Sequence, residues 1–122
     1  MGKIINGNLN DKSNSRGWFI GHFLEDNSIF KNKEFEVKWG KHPKGEKKFQ
    51  VAANKIAKTI GILIEGKIEL NFPKNKKKIL LSKQGDFIFF DEKIFHTFEA
   101  LEDSIIIVIR WPSIPNDQFP LS

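Results

Sequence analysis

The stretch Thr59-Ile60-Gly61-Ile62-Leu63-Ile64-Glu65-Gly66-Lys67-Ile68-Glu69-Leu70-Asn71-Phe72 decides the fold class. Its first half is almost continuously apolar, which is typical of a buried strand. Its second half alternates apolar and polar residues, the two-residue period of a strand with one buried face. Glu65-Gly66 forms a tight turn between them, because glycine adopts backbone conformations that other residues avoid. The stretch therefore predicts two consecutive strands joined by a tight turn.

Short strands separated by turn residues continue on both sides of these two strands. The segment 51–57 fits either a helical turn or an irregular strand, and the Gly- and Pro-containing segment 40–47 is predicted to be a loop. The other predicted strands are 18–23, 35–39, 78–81, 87–90, 95–100 and 105–111. Many short strands with hardly any helix predict an all-β fold, an antiparallel sandwich or small barrel.

The length of 122 residues fits one domain with a hydrophobic core. Residues 1–17 are rich in Asn, Gly, Ser and Lys and are predicted to form a flexible N-terminal arm. Residues 18–113 carry the strand pattern. Residues 114–122 contain two prolines and are predicted to be a C-terminal tail that lies across the surface.

Composition and charge limit the classes of partner. Twelve Phe and 39% hydrophobic residues exclude a disordered chain, and no apolar run approaches the ~20 residues of a membrane helix. The chain has no cysteine and no signal-like apolar segment near its start, so we expect a cytoplasmic protein. The net charge of +5 comes almost entirely from lysine, and the densest cluster, Lys74–Lys78, lies at a predicted hairpin tip. We therefore expect neither nucleic acid nor membrane as a partner.

The segment 84–98 resembles the second motif of the cupin superfamily, which reads Gly, five residues, Pro, one residue, Gly, two residues, His, three residues, Asn. Gly85 and His96 match in type and spacing, whereas Asp91, Lys93 and Ala100 stand where Pro, Gly and Asn are usual. The segments 17–23, 37–45 and 109–113 are similar to those of small single-domain cupins. The resemblance implies a cupin-type jelly roll, a double-stranded β-helix, and no particular reaction.

The first cupin motif is degenerate in this sequence. The family pattern reads His, one residue, His, three or four residues, Glu, six residues, Gly, and Gly66 fits its last position. Counting back places Thr59 at the Glu position, and Ala52 and Asn54, or Ala53 and Lys55, at the His positions. Only His96 remains of the usual metal ligands, and one imidazole does not hold a transition metal against water. We therefore expect no metal and no other cofactor.

The resemblance implies that His96 faces the interior, where a neutral imidazole can line a pocket and is the one candidate catalytic residue. The alternative for His96 is a core histidine bonded to a neighbouring strand. Arg110 ends an apolar strand and is predicted to lie at the rim, although Arg110 and Lys38 could equally reach solvent or pair with Glu36 and Glu99. The predicted ligand-binding residues are His96, Asn54, Thr59, His42, Arg110 and Trp39.

Three functions remain open at this point. The first is an uncharacterised cupin-like protein that binds a small polar or anionic molecule without the usual metal. The second is a metal-dependent enzyme of dioxygenase or isomerase type that holds Fe, Zn or Mn with His22, His42 and His96. The third is a dimeric interaction module with no open pocket. We expect a homodimer in any case, because jelly rolls often cover an edge strand or exposed aromatic residues by pairing.

Overall fold

A computed structural model describes residues 2–11 and 14–121 and confirms the predicted antiparallel all-β fold. Three short 3-10 helices cover Leu9–Asp11, Asn14–Gly17 and Pro73–Asn75. The strands are β1 (Trp18–Ile20), β2 (Glu36–His42), β3 (Ala52–Asn54), β4 (Lys58–Glu65), β5 (Ile68–Phe72), β6 (Lys77–Leu81), β7 (Phe87–Phe90), β8 (Thr97–Ala100), β9 (Ser104–Trp111) and β10 (Gln118–Pro120). In this described part, no helix has the length and apolar character needed to cross a membrane.

The strands form two facing layers. The front sheet has the order β1-β2-β9-β4-β7, and the back layer contains β6-β5-β8 and the pair β10-β3. Ala52 and His96 exchange backbone hydrogen bonds, with N···O distances of 3.5 and 3.0 Å, which joins β3 to the chain just before β8. The back layer therefore runs β6-β5-β8-β3-β10. Two five-stranded layers of this kind form the predicted jelly roll.

The hydrophobic core fills one end of the space between the layers. Phe72 of the back layer meets Phe90 of the front sheet edge-on, with ring centroids 5.5 Å apart. The other buried core side chains are Leu63, Ile68, Leu70, Leu81 and Ile106. Burial of each such side chain contributes about 1.5–3 kcal/mol, so this end holds the layers together.

The two faces of the front sheet differ in polarity. Strand pairing aligns the outward side chains in two apolar rows, Trp39, Ile107, Ile62, Phe87 and Val37, Ile109, Ile60, Phe89. The inward rows include the charged residues Glu36, Arg110 and Lys38. The full rows are Glu36, Arg110, Thr59, Phe90 and Lys38, Val108, Gly61, Ile88. The front sheet thus places several polar side chains inside the jelly roll and an apolar surface, here called the outer face, outside it.

The predicted loop at 40–47 begins later than expected. Strand β2 continues through His42, because it pairs with β9 along its whole length as far as Ser104. His42 is consequently a buried strand residue rather than a solvated loop residue. Strand β1 in turn ends at Ile20. The next residue, Gly21, has φ +154°, and a Cβ at this position would collide with the Phe23 ring and the Glu36 side chain.

The segment after residue 113 contributes a strand to the back layer. Strand β10 pairs with β3, which resolves the ambiguous segment 51–57 as an irregular strand. The buried Asp117 fixes this junction, because its carboxylate accepts hydrogen bonds from the Asn54 side chain and from the backbone N–H groups of Ile56 and Ala57. The expected surface tail is therefore packed into the fold.

Candidate functional site

A cavity of about 590 Å³ lies between the layers next to the hydrophobic core. We call this cavity the lumen. Its apolar wall includes Leu70, Phe90 and Val108. Gly61 contributes no side chain to this wall. A Cβ at this position would lie 3.2 Å from Ile106 Cδ1. A cavity of this size accommodates a small molecule.

Positive charge dominates the lining of the lumen. The cationic lining residues are Arg16, Lys38, Lys41, Lys47, Lys48 and Arg110. Glu46 is the one carboxylate among the lining residues, and its Oε1 lies 2.7 Å from His42 Nδ1. Among the side chains that the structure describes, no carboxylate lies within 4.0 Å of the Lys38 or Lys48 ammonium group. The lumen is therefore suited to an anion.

Two lysines inside the lumen are partly desolvated. Burial and, as a smaller cause, the positive charge of Arg110 lower the pKa of Lys38 to about 8. Burial also lowers the pKa of Lys48, again with a contribution from Arg110. The partner of Lys38 on β1 is Trp18, whose ring centroid lies 5.9 Å from the Lys38 nitrogen.

Arg110 points inward near the end of β9. Its Nη1 lies 3.4 Å from Glu36 Oε2, and its guanidinium carbon lies 4.8 Å from the centroid of the Trp18 ring. The Arg110 Nε–H group is buried and has no hydrogen-bond partner among the described residues. Of the two alternatives left open by the sequence, the structure shows the pairing with Glu36, but this pairing leaves part of the guanidinium fork available to a ligand.

Thr59 and Asn54 each present a buried oxygen without a partner. Thr59 lines the lumen directly across from Arg110 on the neighbouring strand. Asn54 donates from Nδ2 to Asp117 Oδ2 at 3.1 Å, while its Oδ1 accepts no hydrogen bond from the described residues. Asn54 lines a second cavity of about 410 Å³, which shares Trp18, Arg110 and Gln118 with the lumen. Buried polar atoms normally find partners, so these oxygens are candidate contacts for a ligand or water.

His96 presents its second ring nitrogen without a partner. Its Nδ1 lies 3.0 Å from the carbonyl oxygen of Ile94, which can only accept, so Nδ1 carries the hydrogen. Burial lowers the pKa of His96 to about 4, and the ring is neutral at pH 7. Nε2 then bears a lone pair, for which the described residues provide no donor. This nitrogen can accept a hydrogen bond or a proton from a molecule in the lumen.

The three histidines of the metal hypothesis do not come together. His42 and His96 line the lumen, but His22 lies at the second cavity, where its Nδ1 is 2.7 Å from Ser113 Oγ. No group of three His, Cys, Asp or Glu side chains that could hold a metal ion occurs within the described ranges. The residue paired directly with His96 is Ala52, which offers no ligand. The donor set does not fit the transition metal of typical cupins, and the alternative that used His22, His42 and His96 is corrected.

Trp39 is the other site prediction that requires correction. It points to the outer face, where its indole N–H donates to Asn10 Oδ1 at 2.8 Å. Nothing in the sequence indicated that Lys48 lines the lumen, and the sequence left Lys38 open between the mouth of the pocket, solvent and a pair with Glu36 or Glu99. One pattern in the sequence could have placed Lys38 inside. Glu36, Lys38, Gly40 and His42 alternate along β2 with the other residues and therefore share one face of the strand.

No family model matches this sequence, and no curated protein matches it. Solved structures are nevertheless similar in fold. An uncharacterised conserved protein with a double-stranded β-helix domain from Klebsiella pneumoniae has a TM-score of 0.67 and 12% identity, over 98% of this chain and 99% of that one.

Two further solved structures carry more informative descriptions. KdgF from Halomonas sp. has a TM-score of 0.60 and 22% identity, over 70% of this chain and 74% of that chain. An RmlC-like cupin from Shewanella frigidimarina has a TM-score of 0.61 and 20% identity, over 70% and 72% of the two chains. At these identities the likeness concerns the fold.

Proposed function

We propose that this chain, which has the cupin fold, binds a small organic anion in the lumen and does so without a transition metal. The observation that carries the proposal is the pair of inward lysines, Lys38 and Lys48, which no described carboxylate neutralises. Removing an ammonium group from water without a partner costs free energy, and a bound anion would offset that cost.

The neighbouring polar atoms suit a carboxylate in particular. Arg110 offers an unused Nε–H donor and Thr59 an unused hydroxyl, and both belong to one inward row. Guanidinium groups match the two oxygens of a carboxylate, and lysines add charge with less directional demand. The apolar wall beside them would contact the carbon skeleton of the ligand.

Differential scanning fluorimetry and titration calorimetry with acetate, succinate, citrate, phosphate and sulfate test the proposal. We expect at least one carboxylate to raise the melting temperature, and Lys38→Met and Arg110→Gln each to weaken its binding at least ~tenfold. Lys78→Met, an exposed lysine on β6, is the matched control and should bind normally. Stronger stabilisation by phosphate than by every carboxylate would change the ligand class. Absence of stabilisation by all five anions would overturn the proposal.

We also propose that a second copy of the chain covers the outer face. Phe87 and Phe89 on this face are 63% and 43% exposed, and Trp111 is 37% exposed. Elsewhere the excess of lysine makes two copies repel each other, but the central rows of the outer face carry no charge and can meet an identical surface. A contiguous apolar patch of this kind is typical of an interaction surface.

A further inference from the structure

Lys38 differs from the other lysines of the lumen in its immediate neighbours. Along its inward row lie Val108, Gly61 and Ile88, none of which offers a polar side chain. Its partner on β1 is Trp18. The lumen carboxylate, Glu46, is hydrogen-bonded to His42 at 2.7 Å instead. The described residues thus offer the ammonium form of Lys38 the Trp18 ring but no carboxylate within 4.0 Å.

The surroundings of Lys38 therefore increase the fraction of the neutral amine, which is a nucleophile. The charged groups that act on it are Arg110, Arg16 and Lys48, which disfavour the ammonium form, and Glu46, which favours it. With a pKa of about 8, Lys38 is neutral in about 10% of molecules at pH 7, more than a hundredfold above an ordinary lysine. Lysines activated in this way by desolvation and a neighbouring cation attack carbonyl carbons.

We propose that Lys38 forms a reversible imine with small anions that also carry an aldehyde or ketone group, such as 2-oxo acids. The inference rests on the proposed function, because Arg110 and Lys48 would hold the carboxylate while Lys38 reacts with the carbonyl group. The Lys38 nitrogen lone pair forms a bond to the carbonyl carbon, and the carbonyl oxygen takes up a proton to give a carbinolamine. The nitrogen then loses its protons and the hydroxyl leaves as water, which yields the C=N bond with no net oxidation or reduction. Exposed lining residues such as Lys41 and Lys47 place the lumen in contact with solvent, which exchanges these protons and takes up the water.

Reductive trapping with glyoxylate at pH 7 tests the inference. Sodium cyanoborohydride reduces the imine to a secondary amine, and peptide mass spectrometry reports how fast each lysine is labelled. We expect the Lys38 peptide to be labelled at least ~tenfold faster than the peptide containing the exposed Lys78. Lys38→Arg keeps the positive charge but should abolish the fast labelling. Arg110→Gln should slow the labelling by glyoxylate more than the labelling by acetaldehyde, which carries no charge and senses only the change in the pKa of Lys38.

Two arms separate failure of the imine from failure of the anion site. Glycolate has the same carboxylate as glyoxylate but no carbonyl group, so its effect on the melting temperature reports binding alone. Stabilisation by glycolate together with uniform labelling of all lysines would overturn the imine and leave the anion site standing. Equal rates with glyoxylate and acetaldehyde, together with no stabilisation by glycolate, would overturn both. Fast labelling that persists in Lys38→Arg would assign the reaction to another lysine and overturn the inference.

Discussion

Thr59 lies directly across from Arg110 on the adjacent strands β4 and β9, and each of them carries a buried polar atom, Oγ1 and Nε, that no described residue partners. Two such atoms side by side in the wall of a cavity are costly to an empty protein. They become useful when a ligand supplies the missing acceptor and donor. Substitutions at this pair should therefore affect the stability of the fold and the binding of a ligand to different extents.

Thr59→Val should separate these two effects. Valine has nearly the shape of threonine but no hydroxyl, so we expect the variant to be unchanged or up to about 1 kcal/mol more stable in urea unfolding. Ser113→Ala is the matched control, because the Ser113 hydroxyl accepts from His22 N–H at 2.9 Å and donates to Glu36 at 2.8 Å. That variant should lose about 1–3 kcal/mol. Equal destabilisation by both would mean that Thr59 Oγ1 has a partner after all.

The Arg110–Glu36 pair should be strongly coupled. Arg110→Met leaves the buried Glu36 carboxylate without its cation, so we expect the free energy of unfolding to fall by about 2–4 kcal/mol. Adding Glu36→Gln to Arg110→Met should recover part of this loss. A double-mutant cycle from urea unfolding measures the coupling, and strictly additive losses would contradict it.

His96 should make the stability of the protein sensitive to acid. Its pKa is about 4 in the folded chain and about 6.5 in the unfolded chain, so the unfolded chain binds more protons between these values. The contribution is present above pH 6.5 and is lost as the pH falls towards 4, by up to about 3 kcal/mol. Urea unfolding between pH 4 and 7.5 should show a shallower loss for His96→Gln than for the original chain. Parallel pH profiles would contradict the buried neutral ring.

Phe87→Glu should dissociate the proposed dimer. The phenyl ring is 63% exposed and its replacement would bring two carboxylates into a self-complementary apolar surface. Sedimentation at micromolar concentration should change from dimer to monomer. Leu80→Glu is the matched control, because Leu80 is 50% exposed on β6 of the back layer and outside the outer face. A monomeric original chain, or dissociation by both substitutions, would exclude the outer face as the interface.

Gly66 and Gly85, the glycines that match the two cupin motifs, should differ in how much their replacement by alanine lowers the free energy of unfolding. Gly66 and Gly85 both have positive φ, +95° and +91°, but a Cβ on Gly66 would collide with Ser104 and Asp103, whereas Gly85 faces open space. We expect Gly85→Ala to cost about 1 kcal/mol from backbone strain alone. Gly66→Ala should cost at least about 2 kcal/mol more, measured as the difference in urea unfolding. Similar losses at both sites would show that the Gly66 turn can move.

The fold was accessible from the sequence because period-two patterns identify strands without reference to partners. The strands on either side of Gly66 and the strand at 87–90 appear where they were predicted, although β4 and β5 pair with other strands in opposite layers. The end of β2 could not be predicted from the sequence, because His42 belongs to the strand through its pairing with Ser104 on β9. Strand β10 has too few residues and too polar a sequence to be recognised without β3 beside it.

The site was accessible in part. Period-two alternation states which residues share a face, but it does not state which face is inside. In β2 the apolar residues Val37 and Trp39 point outward and Lys38 points inward, the reverse of the usual assignment. Placing Thr59 and His96 in the lumen relied on the family pattern, which carries the inward register with it. The same pattern could not indicate Lys48, which lies outside both motifs.

The capacity of the interior depends on one very small residue. Gly61 stands in the same inward row as Lys38, and a methyl group at this position would touch the Ile106 side chain. A larger side chain here would take up part of the lumen without altering any charged group. A homologous chain with valine or leucine at this position should keep the fold but leave less room for a molecule in the lumen.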